Sequence, residues 1–128
     1  MREFCTLFDS NYLVKALAMY RSLERHAQPF HLTVFAFDER AEALLGRLAL
    51  QHVSVVPLRK LEAHDRELAA VKPTRTPVEY CWTATPTLPL YLFDTRPELT
   101  EVTYLDADLL FYSSPEPLFE EMGDASVL

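Results

Sequence analysis

The sequence predicts an α/β protein built on a mostly parallel sheet with helices on both faces. Three observations carry that expectation. Short, unbroken apolar runs rich in β-branched and aromatic residues alternate with longer stretches whose apolar residues recur every three or four positions. Strands of a parallel sheet read as unbroken apolar runs because helices cover both of their faces. Turn and cap residues punctuate the junctions, and 128 residues suffice for one domain with its own core.

Residues 4–8, Phe-Cys-Thr-Leu-Phe, form the first expected strand, which runs into the turn and cap residues Asp9-Ser10-Asn11. A helix follows, with Leu13, Ala16, Leu17, Tyr20 and Leu23 on one face and Lys15, Arg21 and Arg25 on others. Residues 30–37 form a second strand closed by Asp38-Glu39, residues 39–50 a second helix through Leu44, Leu45 and Leu48, and residues 53–57 a third strand. Between 59 and 77 the pattern breaks into charged pieces, with a short helix around 66–71 and an exposed loop at 72–77. Thr85-Pro86 reads as N-cap and first helical residue of a helix through Leu90, Tyr91, Leu92 and Phe93, ended by Arg96-Pro97. Residues 102–105 form a fourth strand and 109–112 a fifth. Ser114-Pro115-Glu116 caps a last short helix ending at Gly123, and residues 125–128 look like the opening of a further strand, which suggests a truncated chain. Strand and helix in alternation make a Rossmann-like sheet with right-handed crossovers.

Composition removes several function classes. Two glycines, Gly46 and Gly123, cannot make a G-x-G-x-x-G turn or a Walker P-loop, so a bound phosphate must be held in another way. A net charge of -7 without a block of Lys or Arg argues against a nucleic-acid surface. No apolar run approaches the roughly 18 residues of a membrane span. Cys5 and Cys81 lie far apart among apolar and aromatic neighbours and read as buried free thiols. With no signal-peptide pattern at the start, cytoplasmic residence is expected, or a membrane periphery reached through parts beyond residue 128. His26, His31, His52 and His64 have no metal-ligand spacing and read as helix-end or surface residues, and Ser113 and Ser114 have no His/Asp pattern near them.

Tyr104-Leu105-Asp106-Ala107-Asp108-Leu109-Leu110-Phe111 concentrates the chemistry. Two carboxylates one residue apart stand where a buried strand ends, at the carboxyl edge where open α/β sheets bind ligands. Like charges this close repel unless they are solvated or share a cation. A hard divalent cation such as Mg²⁺ or Mn²⁺, with positions open for a diphosphate, suits this oxygen donor pair and the missing glycine loops.

The same run, ahead of Ser-Ser-Pro-Glu-Pro-Leu-Phe, resembles the Y-L-D-x-D motif of GT-A-fold glycosyltransferases, particularly glycosyltransferase family 8 and its bacterial relatives. Residues 4–12 are similar to that family's first strand and nucleotide loop, and Glu79-Tyr80-Cys81-Trp82-Thr83-Ala84-Thr85-Pro86 is similar to a block of bacterial sugar transferases. The resemblance covers nearly the whole chain but only the nucleotide-sugar-binding half of a GT-A domain, without the acceptor half and its metal-binding His. It implies that Asp106 and Asp108 bind Mn²⁺ or Mg²⁺, with Asp108 the direct ligand, and that Asp9 and Asn11 hydrogen-bond the base or ribose. Tyr12 would stack on uracil, Thr6 and Leu7 would offer backbone contacts, and Asp106 would also meet the nucleotide. Lys72, Arg75 and Ala107 are further candidates at the donor diphosphate, the two basic residues being otherwise solvated. Tyr80 and Trp82 read as core or pocket-wall residues, and Thr87 stands where the family often places an Arg toward the donor sugar.

The implied reaction is transfer of a sugar, with retention, from a UDP-sugar to an acceptor such as a cell-surface glycan precursor. Self-association through an exposed sheet edge is expected of a truncated chain. Two alternatives stand beside this. One is a non-catalytic nucleotide-binding fragment. The other is a haloacid-dehalogenase-like phosphatase, whose motif continues to Thr or Val where this chain has Leu110.

Overall fold

The computed structural model describes residues 1–127. Its elements, in chain order, are β1 (Arg2–Phe8), α1 (Leu13–His26), β2 (Phe30–Ala36), α2 (Glu39–Leu48), β3 (Val53–Pro57), α3 (Leu58–His64), α4 (Arg66–Val71), α5 (Pro77–Ala84), α6 (Thr87–Thr95), β4 (Thr103–Tyr104) and α7 (Glu116–Met122). The four strands are parallel and ordered β3-β2-β1-β4. The chain moves outward from β1 to β2 and β3, then returns to the other side of β1. The strand order therefore reverses between β1 and β4, and such a reversal opens a crevice at the carboxyl ends of the two strands.

Two-residue alternation along the strands sorts the core into two layers. Phe4 and Phe8 of β1 and Leu32 and Val34 of β2 pack with Met19, Tyr20 and Leu23 of α1 and Ala41 and Leu45 of α2. Cys5, Leu7 and Phe35 face the opposite side, against Leu61 of α3, Leu68 of α4, Tyr80 and Ala84 of α5, and Leu88 and Leu92 of α6. Phe4, Phe30 and Phe35 are essentially fully buried, each contributing roughly 1.5–3 kcal/mol relative to exposure. The α/β class and the helices on both faces are as expected. Cys5 is a buried free thiol, pushed up to about 12 by burial.

Several local expectations are corrected. Thr85 is not an N-cap: its backbone is helical and its hydroxyl donates to the Cys81 carbonyl, so Pro86 becomes the N-cap of α6. Residues 59–64 belong to α3, and residues 72–74 form one 3₁₀ turn rather than open loop. The second helix stops at Leu48 because Ala49 turns left-handed, with φ 44°. No strand forms at 109–112; that segment is tied instead to α1, the Phe111 N–H donating to Ser22 Oγ at 3.0 Å. Residues 125–127 carry no strand, and Leu128, the end of the expected one, lies outside the described residues. His31 is not a helix-end residue but a β2 residue bridging Glu3 and Ser54. Among the described residues, no helix is long and apolar enough to cross a membrane.

Candidate functional site at the carboxyl edge

A cleft of about 310 Å³ opens where β1 and β4 end. Leu7, Phe8, Asp9 and Tyr12 form one wall, Tyr104, Asp106, Ala107 and Asp108 a second, and Pro77, Val78, Cys81, Trp82 and Thr85 a third. Three carboxylates thus line the cleft, and no Lys or Arg does among the described residues.

The loop after β1 is built by two aspartates. Asp9 caps a single 3₁₀ turn, Ser10–Tyr12, accepting from the Asn11 N–H at 2.9 Å. Asp38, at the end of β2, accepts from the Ser10 N–H at 3.0 Å, the Ser10 hydroxyl at 2.8 Å and the Ala41 N–H at 2.7 Å. It therefore caps α2 and clasps the neighbouring loop at once. Burial pushes the Asp38 carboxyl up, but its donors outweigh that and hold it below its ordinary value.

The loop after β4 is anchored by its apolar residues. Leu105 is buried and its N–H donates to the Cys5 carbonyl at 2.8 Å, and a turn follows in which the Leu109 N–H meets the Asp106 carbonyl at 3.1 Å. Ala107 is buried between Asp106 and Asp108, which are both exposed. Asp106 Oδ1 accepts from the Tyr104 hydroxyl at 3.1 Å. Burial first, and the Asp106 carboxylate as well, push that phenol up to about 12, so it stays a donor.

Of the residues expected at the site, Leu7, Asp9, Tyr12, Asp106, Ala107 and Asp108 meet around one cleft. Thr6 and Asn11 do not line it. Thr6 is fully buried in β1, and its hydroxyl has no hydrogen-bond partner. Lys72 and Arg75 lie in an adjoining depression that shares Asp9, Pro77 and Cys81 with the cleft. Lys72 Nζ is 3.2 Å from Glu62 Oε2, and Arg75 Nε donates to Thr83 Oγ1 at 3.3 Å. Tyr80 is a core residue whose hydroxyl donates to Glu62 at 2.9 Å, whereas Trp82 is 70% exposed. Cys81 is half-buried at the cleft wall rather than fully buried; burial first, then the Asp9 charge, raise its thiol above the ordinary value and keep it protonated.

Sequence reasoning read Trp82 as a pocket-wall residue and missed Pro77, Val78, Cys81 and Thr85 beside it, although the signal was present. Thr76-Pro77-Val78-Glu79 is a capping box: the Glu79 N–H meets the Thr76 hydroxyl and the Glu79 carboxylate accepts from the Thr76 N–H, with Pro at the first helical position. That motif starts α5 and carries Val78, Cys81 and Trp82 to the cleft.

The oxygen donor set suits a hard divalent cation in part. Asp106 and Asp108 offer exposed carboxylates on one turn, but no group of three or more ligating side chains exists among the described residues. Two protein carboxylates, with water and phosphate oxygens completing the shell, is a common way to hold Mg²⁺ at a phosphate site.

No family model matches the chain. The uncharacterized proteins YfnF and YfnD of Bacillus subtilis (strain 168) are 37% and 34% identical to it over 125 residues, which is 98% of this chain and 41% and 40% of theirs. The chain thus spans about two fifths of the length of these curated relatives. Among solved structures, mouse xyloside xylosyltransferase 1 in its apo form superposes with a TM-score of 0.52 at 18% identity, covering 94% of this chain and 47% of that one. The chain has a glycosyltransferase-like α/β fold.

Proposed function

We propose that the carboxyl-edge cleft is the donor site of a glycosyltransferase and takes a nucleoside diphosphate sugar of the UDP type, as the resemblance to family 8 implies. One observation carries the reading: three carboxylates line a ligand-sized cleft at the point where the strand order reverses, with no lysine or arginine on its walls among the described residues. Such a wall repels a bare diphosphate, so an anionic ligand is accommodated there only together with a cation. Asp106 and Asp108 would hold Mn²⁺ or Mg²⁺, and the ion would supply positive charge against a diphosphate. Asp9 accepts a hydrogen bond from the base or ribose, and Tyr12, 46% exposed beside it, offers its ring to the base. The Tyr104 hydroxyl fixes the orientation of Asp106. The buried Leu105 and Ala107 hold the acidic turn rigid. No residue of this chain is required to form a bond to the sugar.

Calorimetric titration of the chain with UDP, with and without Mn²⁺, tests this. Wild type binds UDP only with the metal, and Asp108→Ala weakens that binding at least a hundredfold. An unchanged affinity in Asp108→Ala would sink the assignment.

A further inference from the structure

The cleft does not end at the carboxylates. Trp82 stands at its rim and also lines a second, shallow depression with Arg75, Glu79 and Thr83. At 70% exposure, a tryptophan on an eight-residue helix is not explained by packing: its helix neighbours Tyr80 and Ala84 supply the buried face of α5. At the rim of a ligand-sized cleft such a ring offers a flat apolar face and an N–H to a molecule that enters.

The polar groups around the ring are already oriented. Arg75 Nε donates to Thr83 Oγ1 at 3.3 Å, and Thr83 Oγ1 donates to the Glu79 carbonyl at 2.8 Å. Glu79 is fixed by its capping box, with Oε2 accepting from the Thr76 N–H at 2.8 Å. Among the described residues, Glu79 Oε1 and both Arg75 Nη groups make no hydrogen bond. A flat apolar ring flanked by a free guanidinium edge and a free carboxylate oxygen matches a sugar ring, which offers an apolar C–H face and equatorial hydroxyls that donate and accept. In the proposed donor site a nucleobase would lie elsewhere in the cleft, against Tyr12 and Asp9, which line its opposite wall.

We infer that Trp82, with Arg75 and Glu79, forms an acceptor-saccharide subsite at the outer rim of the cleft, the indole stacking on a pyranose ring of a neutral glycan. The inference rests on the proposed donor site, because the subsite gains its meaning from a donor held beside it. It makes Arg75 a contact of the acceptor rather than of the diphosphate.

Trp82 is the only tryptophan in the sequence, so its emission reports on this position alone. The 128-residue chain is titrated with UDP plus Mn²⁺, with UDP-glucose, UDP-galactose and UDP-xylose plus Mn²⁺, and with free lactose, maltose, cellobiose and chitobiose. The expected result is a saturable change in Trp82 emission with at least one free disaccharide and none with UDP. By calorimetry, Trp82→Ala then weakens binding of that disaccharide at least tenfold, whereas Trp82→Phe, which keeps a ring, weakens it less than threefold. Quenching by UDP alone would make the indole a base platform and overturn the inference. A response to UDP-sugars but to no free disaccharide would make it a donor-sugar contact, also against it. No saturable response across the set overturns it as well. Failure of the donor reading is seen separately, as absence of metal-dependent UDP binding.

Discussion

At the amino end of the sheet, both charged side chains of the central strand are matched within the molecule. Arg2 makes contacts of 2.7 Å to Glu101 and 2.8 Å to Glu116, and its guanidinium lies 4.0 Å from the Phe119 ring centre. Glu3 accepts from both Nη groups of Arg96 at 2.9 and 3.0 Å and meets His31 Nδ1 at 3.0 Å, while His31 Nε2 reaches Ser54 at 2.8 Å. At the carboxyl end, Asp9, Asp106 and Asp108 line a cleft whose walls carry no basic residue among those described. One strand therefore runs from a closed ionic network to an open acidic cleft. Charges at the amino end are neutralised by the fold, while those at the carboxyl end are left open at a ligand-sized cleft, as the proposed donor site requires.

Stability measurements can break this contrast. Glu3→Gln removes the carboxylate that holds both Nη groups of Arg96, and since Arg96 retains some solvent and its 3.1 Å contact to Glu98, the expected loss is about 1–2 kcal/mol in urea unfolding. Asp108→Asn, on an exposed turn, changes stability by less than about 0.5 kcal/mol. Similar losses from the two would erase the distinction between the ends.

Acid sharpens the same contrast. Burial pushes the Glu3 carboxyl up, but hydrogen bonds from Arg96 and His31 outweigh it and hold the group below its ordinary value of 4.5. A carboxyl lowered in the folded state contributes stability that is complete above the unfolded value and is lost as pH falls through the folded one. Melting temperature therefore drops below about pH 4.5, and part of that drop is absent in Glu3→Gln. Parallel curves for the two proteins would show that Glu3 is not involved.

A further effect, stabilising rather than destabilising, lies midway along β1. The Thr6 hydroxyl is buried without a partner, so Thr6→Val removes an unsatisfied group at nearly constant shape and stabilises the chain by about 1 kcal/mol. A loss of stability on thermal or urea unfolding would mean that the hydroxyl has a partner after all.

How much of this was readable from the residues follows from range. β1 and β2 are mainly apolar over their buried lengths, and burial from both faces is the property that makes such runs visible, while the shorter β3 shows through its β-branched residues. The Asp106–Asp108 turn is local, so its chemistry shows in eight consecutive residues. α3 escaped notice because Leu61 is its one buried residue and seven residues give periodicity no room. Residues 109–112 mislead in the other direction: Leu109, Leu110 and Tyr112 are apolar yet exposed, and apolarity alone does not supply a strand partner. The placement of α5 across the carboxyl edge and the Glu3–His31–Ser54 row exist only once the sheet and its register are set. Neither is encoded in any short window.

The Asp38 clasp has a consequence for how the site meets its ligand. Ser10 is tied to Asp38 through both its N–H and its hydroxyl, so the turn bearing Asp9 and Tyr12 is in place before anything arrives. Ordering a slack backbone consumes about 1–2 kcal/mol per residue. A turn already tethered would spare an encounter that loss, so a ligand of the proposed site would meet a fixed shape in this half of the cleft.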